Sequence, residues 1–226
     1  MRPYEELIVD TPNYPKPGVV FKDLTPAFAD ADAFAAMVDD LAAHFADRGI
    51  TKVVGAEARG FIVGAAVALR LGAGFVPCRK PGKLPRTVLR ESYALEYGTD
   101  VLEIHADALT SDDVVLIVDD LVATGGTTTA MVRLVRASGA RLAGLGFVME
   151  LAFLNPRAAI AAETDAEVFS LVAVEQPPRT VALLGLYPKN SRLISRFSTN
   201  RPAMMRANSP MRRVSPTARP VRGSCG

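Results

Sequence analysis

Along residues 32–48, apolar side chains recur at Phe34, Met37, Val38, Leu41 and Phe45. These spacings of three and four predict an amphipathic helix, closed by Gly49. The period then changes. Lys52-Val53-Val54-Gly55-Ala56 is a short apolar run of the kind that forms a parallel strand buried on both faces. Residues 60–71 read as the next helix and residues 73–77 as the next strand. Val114-Val115-Leu116-Ile117-Val118 is the strongest strand signal in the chain; a glycine-rich turn follows, then a helix through Ser138 that ends at Gly139. Residues 142–149 predict another strand, residues 156–162 a helix and residues 167–173 a last strand. Such alternation argues for an α/β fold, a parallel sheet with helices on both faces. No internal repeat is visible.

Residues 79–100 break the rhythm, being rich in Gly, Pro and charge with no apolar period. They predict a long excursion, closed by a strand where Val101-Leu102-Glu103-Ile104-His105 alternates. Loops of this length without secondary structure are commonly lids.

Charge divides the chain in two. Residues 1–175 carry 16 Lys+Arg and all 24 Asp+Glu, whereas residues 176–226 carry ten basic residues and no acid. The expected organisation is therefore a domain over 1–175 and a basic, Pro/Arg/Ser-rich tail over 176–226. The tail is expected to be largely disordered, because it offers too little apolar surface to offset the entropy of ordering. Within it, residues 181–186 are apolar enough to dock locally. No apolar run approaches the length of a membrane span, and no secretory leader is legible. Cys78 and Cys225 lie too far apart for a disulfide framework or metal-ligand spacing, which fits a cytoplasmic location. His44 and His105 have no partners at metal spacing and need no function.

The chemistry concentrates after the central strand, in Val118-Asp119-Asp120-Leu121-Val122-Ala123-Thr124-Gly125-Gly126-Thr127. In open parallel sheets ligands bind beyond the carboxyl ends of the strands, so the two acids arrive at a site. Gly125 and Gly126 let the backbone approach an anion, and the amides opening the next helix would point at it. This is a cradle for a phosphomonoester beside carboxylates suited to ribose hydroxyls. A plain helix cap with a solvated acid pair is the alternative, but it does not need the whole string. No Gly-Lys-Ser/Thr follows, so the turn is not a Walker loop.

The string resembles the phosphoribosyl pyrophosphate signature of the type I phosphoribosyltransferases. Three further segments narrow the likeness: Tyr14-Pro15-Lys16-Pro17-Gly18-Val19-Val20-Phe21-Lys22-Asp23, Gly55-Ala56-Glu57-Ala58-Arg59-Gly60-Phe61, and Arg79-Lys80-Pro81-Gly82-Lys83-Leu84-Pro85 with Tyr93-Ala94-Leu95-Glu96-Tyr97-Gly98. Together they are similar to the adenine phosphoribosyltransferases over roughly residues 10–175. The resemblance implies that fold, with a flap over the site. It implies adenine and phosphoribosyl pyrophosphate as substrates, AMP and pyrophosphate as products, and a homodimer.

Residue by residue, the resemblance assigns Asp119 and Asp120 to the ribose hydroxyls and Ala123, Thr124, Gly125, Gly126 and Thr127 to the 5′-phosphate. Val20 and Lys22 would read the adenine edge through their main chain, between the faces of Phe21 and Leu151. Lys22 departs from the family's usual arginine. Arg59, Arg79, Lys80 and Lys83 are candidate diphosphate ligands, the last three reaching a neighbouring subunit's site. Glu96 would manage the proton on the adenine ring and Tyr97 would close the flap. Mg²⁺ would be held mainly through substrate, with Asp119 and Asp120 as its protein partners. Core packing is the plainer reading of Phe21, and a solvated flap charge that of Glu96. Two rival functions are a transferase for another base such as xanthine, and a regulator binding nucleic acid through the tail. The Tyr-Pro-Lys-Pro-Gly segment argues against the first, and the lack of a legible DNA-binding unit against the second.

Overall fold

In the computed structural model, which describes residues 2–95 and 98–176, the chain opens with a one-turn helix, α1 (Pro3–Glu6). A small antiparallel hairpin follows, β1 (Val9–Pro12) with β2 (Val20–Asp23), in the register Asp10↔Lys22 and Thr11↔Phe21. The Asp23 carboxylate accepts the Thr25 amide at 2.9 Å and so starts α2 (Thr25–Ala29). Asp30 does the same for α3 (Ala31–Phe45), accepting from the Ala33 amide at 2.9 Å. None of α1, the hairpin or α2 shows a hydrophobic period long enough to be read from sequence. The helix expected over 32–48 is α3, with its last residues tightened into a 3₁₀ turn that Gly49 ends in the left-handed region.

The strands and helices of the α/β repeat follow: β3 (Lys52–Ala56), α4 (Gly60–Leu71) and β4 (Gly74–Cys78), then, past the excursion, β7 (Val114–Val122), α5 (Gly126–Ala137), β8 (Arg141–Glu150), α6 (Pro156–Ala161) and β9 (Val168–Ala173). Five of these strands form one sheet in the order β4-β3-β7-β8-β9, every pair parallel. Parallel strands need crossovers, and the helices supply them on both faces. One face buries Met37, Leu41 and Phe45 of α3 with Val63 and Val67 of α4 against Leu116 and Val118 of β7. The other buries Met131, Leu134 and Val135 of α5 against Val115, Ile117 and Leu145.

The excursion differs from its sequence reading. It folds as a long hairpin, β5 (Val88–Leu95) with β6 (Gly98–His105), paired from Val88↔His105 to Leu95↔Gly98. Tyr93, Leu102 and Ile104 are buried in the α5 face of the core. The apolar alternation of β5 is hidden because Glu91 sits between Leu89 and Tyr93. Glu96 and Tyr97, between β5 and β6 in the chain, lie outside the described residues, as does the tail from residue 177. Among the described residues no helix is long and apolar enough to cross a membrane.

Candidate active site

The strand predicted to stop at Val118 continues to Val122, so Asp119 and Asp120 belong to β7 itself. They are nearly buried, 8% and 3% exposed, yet both line a cleft of about 260 Å³ at the carboxyl end of the sheet. The cleft's other walls are residues 56–59, at and just beyond the end of β3, and residues 121–128, from the end of β7 into the first turn of α5. Two carboxylates in so dry a place resist ionisation. Burial raises the pKa of both, and the charge of Asp120 raises Asp119 further, while Arg59 works against the shift at Asp120. Arg59 Nε stands 3.0 Å from Asp120 Oδ2, and its guanidinium lies over the Phe21 ring, 5.3 Å from the centroid.

Two glycines shape the cleft. A side chain on Gly60, the first residue of α4, would place its Cβ 2.5 Å from Asp119 Oδ1, so only glycine lets the helix meet the acid. Gly125 turns the chain with φ +88°, and the residues of α5 begin immediately after it. The Gly125 carbonyl accepts the Thr129 amide at 2.8 Å. In the first turn of a helix the earlier amides have no intrahelical acceptor, and here Gly126, Thr127 and Thr128 border the cleft. With the helix dipole behind them, amides so placed favour negative charge in the cleft. Ala123 and Thr124 complete the bend on the same wall.

The basic segment after β4 is tied down within its own chain. Arg79 Nε donates to Glu57 Oε2 at 2.9 Å and Lys83 Nζ to Glu57 Oε1 at 2.6 Å, while Lys80 pairs with Asp100 and donates to the Tyr93 hydroxyl at 3.1 Å. Burial opposes the charge of Glu57, but the bonds from Lys83 and Arg79 outweigh it and hold the carboxyl below its ordinary range. Burial likewise opposes the charge of Lys80, and the Asp100 and Tyr93 contacts overcome it. Glu57 lines the cleft, so Arg79 and Lys83 are held at its rim. Glu57 stood in a legible motif, but no sequence signal gave it the role of anchor for cations more than twenty positions away.

On the β1–β2 side, Val20, Phe21 and Lys22 are half-buried. The Tyr14 ring meets Phe21 edge-on at 5.2 Å, and Phe21 belongs to neither core cluster, unlike an ordinary packing phenylalanine. Lys22 Nζ pairs with Asp10 Oδ1 at 2.5 Å across the hairpin. Leu151, half-buried beyond β8, ties its amide to the Val122 carbonyl at 2.9 Å. Val20, Lys22 and Leu151 do not line the cleft itself; Phe21 is joined to it through Arg59. His44 is partnered by Glu167 at 2.9 Å and stacks on Phe169.

A parallel α/β sheet whose central strand runs into an acid pair and a glycine bend at one cleft is the arrangement expected of a sugar-phosphate transferase. The chain belongs to the phosphoribosyl transferase family, whose domain matches residues 24–174. Within it the chain stands with the adenine phosphoribosyltransferases. It is 54% identical to that of Aeromonas salmonicida over 168 residues, 74% of this chain and 92% of the other. To that of Streptomyces coelicolor it is 58% identical over 151 residues, 67% and 83% of the two chains. Among solved structures, the adenine phosphoribosyltransferase of Thermoanaerobacter pseudethanolicus superposes with a TM-score of 0.72 at 44% identity, covering 76% of this chain and 98% of that one. The Giardia lamblia enzyme complexed with 9-deazaadenine gives 0.73 at 36% identity, covering 76% and 97%.

Proposed function

We propose that this chain transfers the 5-phosphoribosyl group from phosphoribosyl pyrophosphate to adenine, yielding AMP and pyrophosphate. The observation that carries the reading is the meeting, in one cleft, of the buried acid pair and the helix-opening bend. Asp119 and Asp120 take the ribose 2′- and 3′-hydroxyls. The bend, Ala123, Thr124, Gly125, Gly126 and Thr127, takes the 5′-phosphate. Phe21 and Leu151 enclose adenine, and the main chain of Val20 and Lys22 reads its edge. The Lys22–Asp10 pair supports a main-chain role, since the ammonium is engaged elsewhere.

The C1–O bond to pyrophosphate breaks as the C1–N9 bond forms, with inversion and an oxocarbenium-like transition state. Negative charge grows on the leaving group, so Arg59, Arg79, Lys80 and Lys83 contribute by electrostatics. Glu96 manages the adenine proton and Tyr97 closes the flap. The acid pair fits Mg²⁺ only in part: among the described residues no group of three or more ligating side chains could hold a metal. Mg²⁺ commonly binds through one or two carboxylates together with substrate oxygens, and Asp119 and Asp120 suit that mode. When bound, the ion would neutralise charge on the diphosphate. A homodimer is supported by the apolar outer face of α4, where Ile62 is 45% and Leu69 84% exposed. Buried, reduced Cys78 is consistent with a cytoplasmic setting.

The decisive assay supplies labelled adenine, phosphoribosyl pyrophosphate and Mg²⁺ to the purified protein. AMP and pyrophosphate in equal amounts support the reading. No AMP, with hypoxanthine, guanine, xanthine or orotate consumed instead, overturns the base assignment.

A further inference from the structure

Behind the bend lies an ionic network that the proposed reaction does not touch. Glu150, the last residue of β8, is 2% exposed and grips Arg157 of α6 with both oxygens: Nε to Oε1 at 2.9 Å and Nη2 to Oε2 at 2.8 Å. Ser170 of β9 donates its hydroxyl to Oε2 at 2.8 Å, and Arg157 Nη1 donates to the Val168 carbonyl at 3.2 Å. A forked arginine–carboxylate pair of this kind fixes orientation as well as distance. It pins the first turn of α6 to the carboxyl end of β8 and the amino-terminal half of β9.

That turn is what the bend leans on. A Cβ on Gly125 would stand 3.2 Å from the Pro156 carbonyl oxygen and 3.3 Å from the Ala159 Cβ, so α6 closes the space behind the bend. The position of α6 therefore sets how far the bend can retreat from the cleft. Leu151, though adjacent to Glu150, has its own backbone tie to Val122 and does not depend on Arg157.

We propose that Glu150 and Arg157 are positioning residues, which hold α6 as a backstop and so fix the phosphate-binding bend from the side away from the substrate. The inference rests on the proposed role of the bend. Its signature is selective: loss of the pair weakens the sugar phosphate and spares adenine. A purely structural pair would lower the melting temperature or the active fraction and leave both Michaelis constants alone.

The test compares R157M, R157K, E150Q and G125A with the wild type in the full chain. It measures ribose 5-phosphate binding by titration, KM for each substrate, kcat and thermal melting. We expect R157M and E150Q to bind ribose 5-phosphate about tenfold more weakly and to raise KM for phosphoribosyl pyrophosphate similarly, since small misplacements of a binding group are costly. KM for adenine should stay within about twofold. R157K, which keeps the charge but not the fork, should fall between, and carries the comparison if R157M does not fold. If G125A loses ribose 5-phosphate while R157M and E150Q do not, or if they lose both substrates equally, the backstop is wrong. If G125A also binds ribose 5-phosphate normally, the bend itself is not the phosphate site and both readings fall.

Discussion

Arg59 Nε lies 3.0 Å from Asp120 Oδ2 while the same guanidinium covers the Phe21 ring, so one side chain joins the buried acid pair to the proposed base platform. The contact also sets charge. Burial pushes the Asp120 carboxyl above its ordinary pKa, and Arg59 pulls it back. Removing the cation should let the pKa climb further. In R59Q the acidic limb of kcat/KM for phosphoribosyl pyrophosphate should move to higher pH, and the plateau should fall about 100-fold from the lost electrostatic stabilisation. R59K should keep the limb nearer its original place. A pH–rate profile unchanged in R59Q would show that the guanidinium does not govern the acids.

Gly60 gives the second prediction. Alanine there would drive its Cβ to 2.5 Å from Asp119 Oδ1 and 3.1 Å from its Cγ. The acid or the first turn of α4 must move. G60A should cost about 1–3 kcal/mol in urea unfolding, the usual range for overpacking. It should also lower kcat/KM for phosphoribosyl pyrophosphate at least about tenfold. Normal kinetics in a destabilised G60A would separate Asp119 from the reaction.

Glu57 gives a pH-dependent one. Its folded pKa is held below the ordinary value by Lys83 and Arg79 despite burial. The pairs therefore stabilise the fold above the ordinary glutamate range, and that contribution is lost as pH falls through the folded value. E57Q should be less stable than the wild type at neutral pH by about 1 kcal/mol, and so melt lower, because Lys83 is half exposed and its share is screened. The gap should close on acidification. Melting curves of the two proteins that stay parallel from pH 7 to pH 3 would contradict the ion-pair account.

The exposed face of α4 yields the fourth. L69E places a charge on a side chain that is 84% exposed, so a lone chain should tolerate it. If that face joins two copies, sedimentation should show the wild type at twice the mass of L69E. Equal masses would put the contact elsewhere.

How far these features could be read from residues alone follows from where each signal resides. β3, α4, β7, α5 and β8 were legible because buried parallel strands are apolar throughout and their helices keep a 3.6-residue period. The bend was legible because backbone that approaches an anion requires glycine in a local string. The β5–β6 hairpin was only half legible, since Glu91 interrupts its inward face and only the β6 half alternates cleanly. The Glu57 anchor and the Glu150–Arg157–Ser170 network were not legible at all. Their members come from separate strands, turns and a short helix, and long-range pairing of common residue types leaves no periodic trace. Lys22 stands out in the sequence as a departure, but only the folded hairpin shows that its ammonium meets Asp10.

The dryness around Asp119 and Asp120 has a consequence for which sugars the cleft accepts. A carboxylate shut away from water is short of proton donors, and under the proposed roles the two ribose hydroxyls are the donors that end the shortage. A 2-deoxyribose donor, smaller by one oxygen, would enter without a clash, yet would leave one acceptor unanswered beside carboxyls that are nearly buried. Rejection of deoxy sugars would then come from thirst rather than from shape.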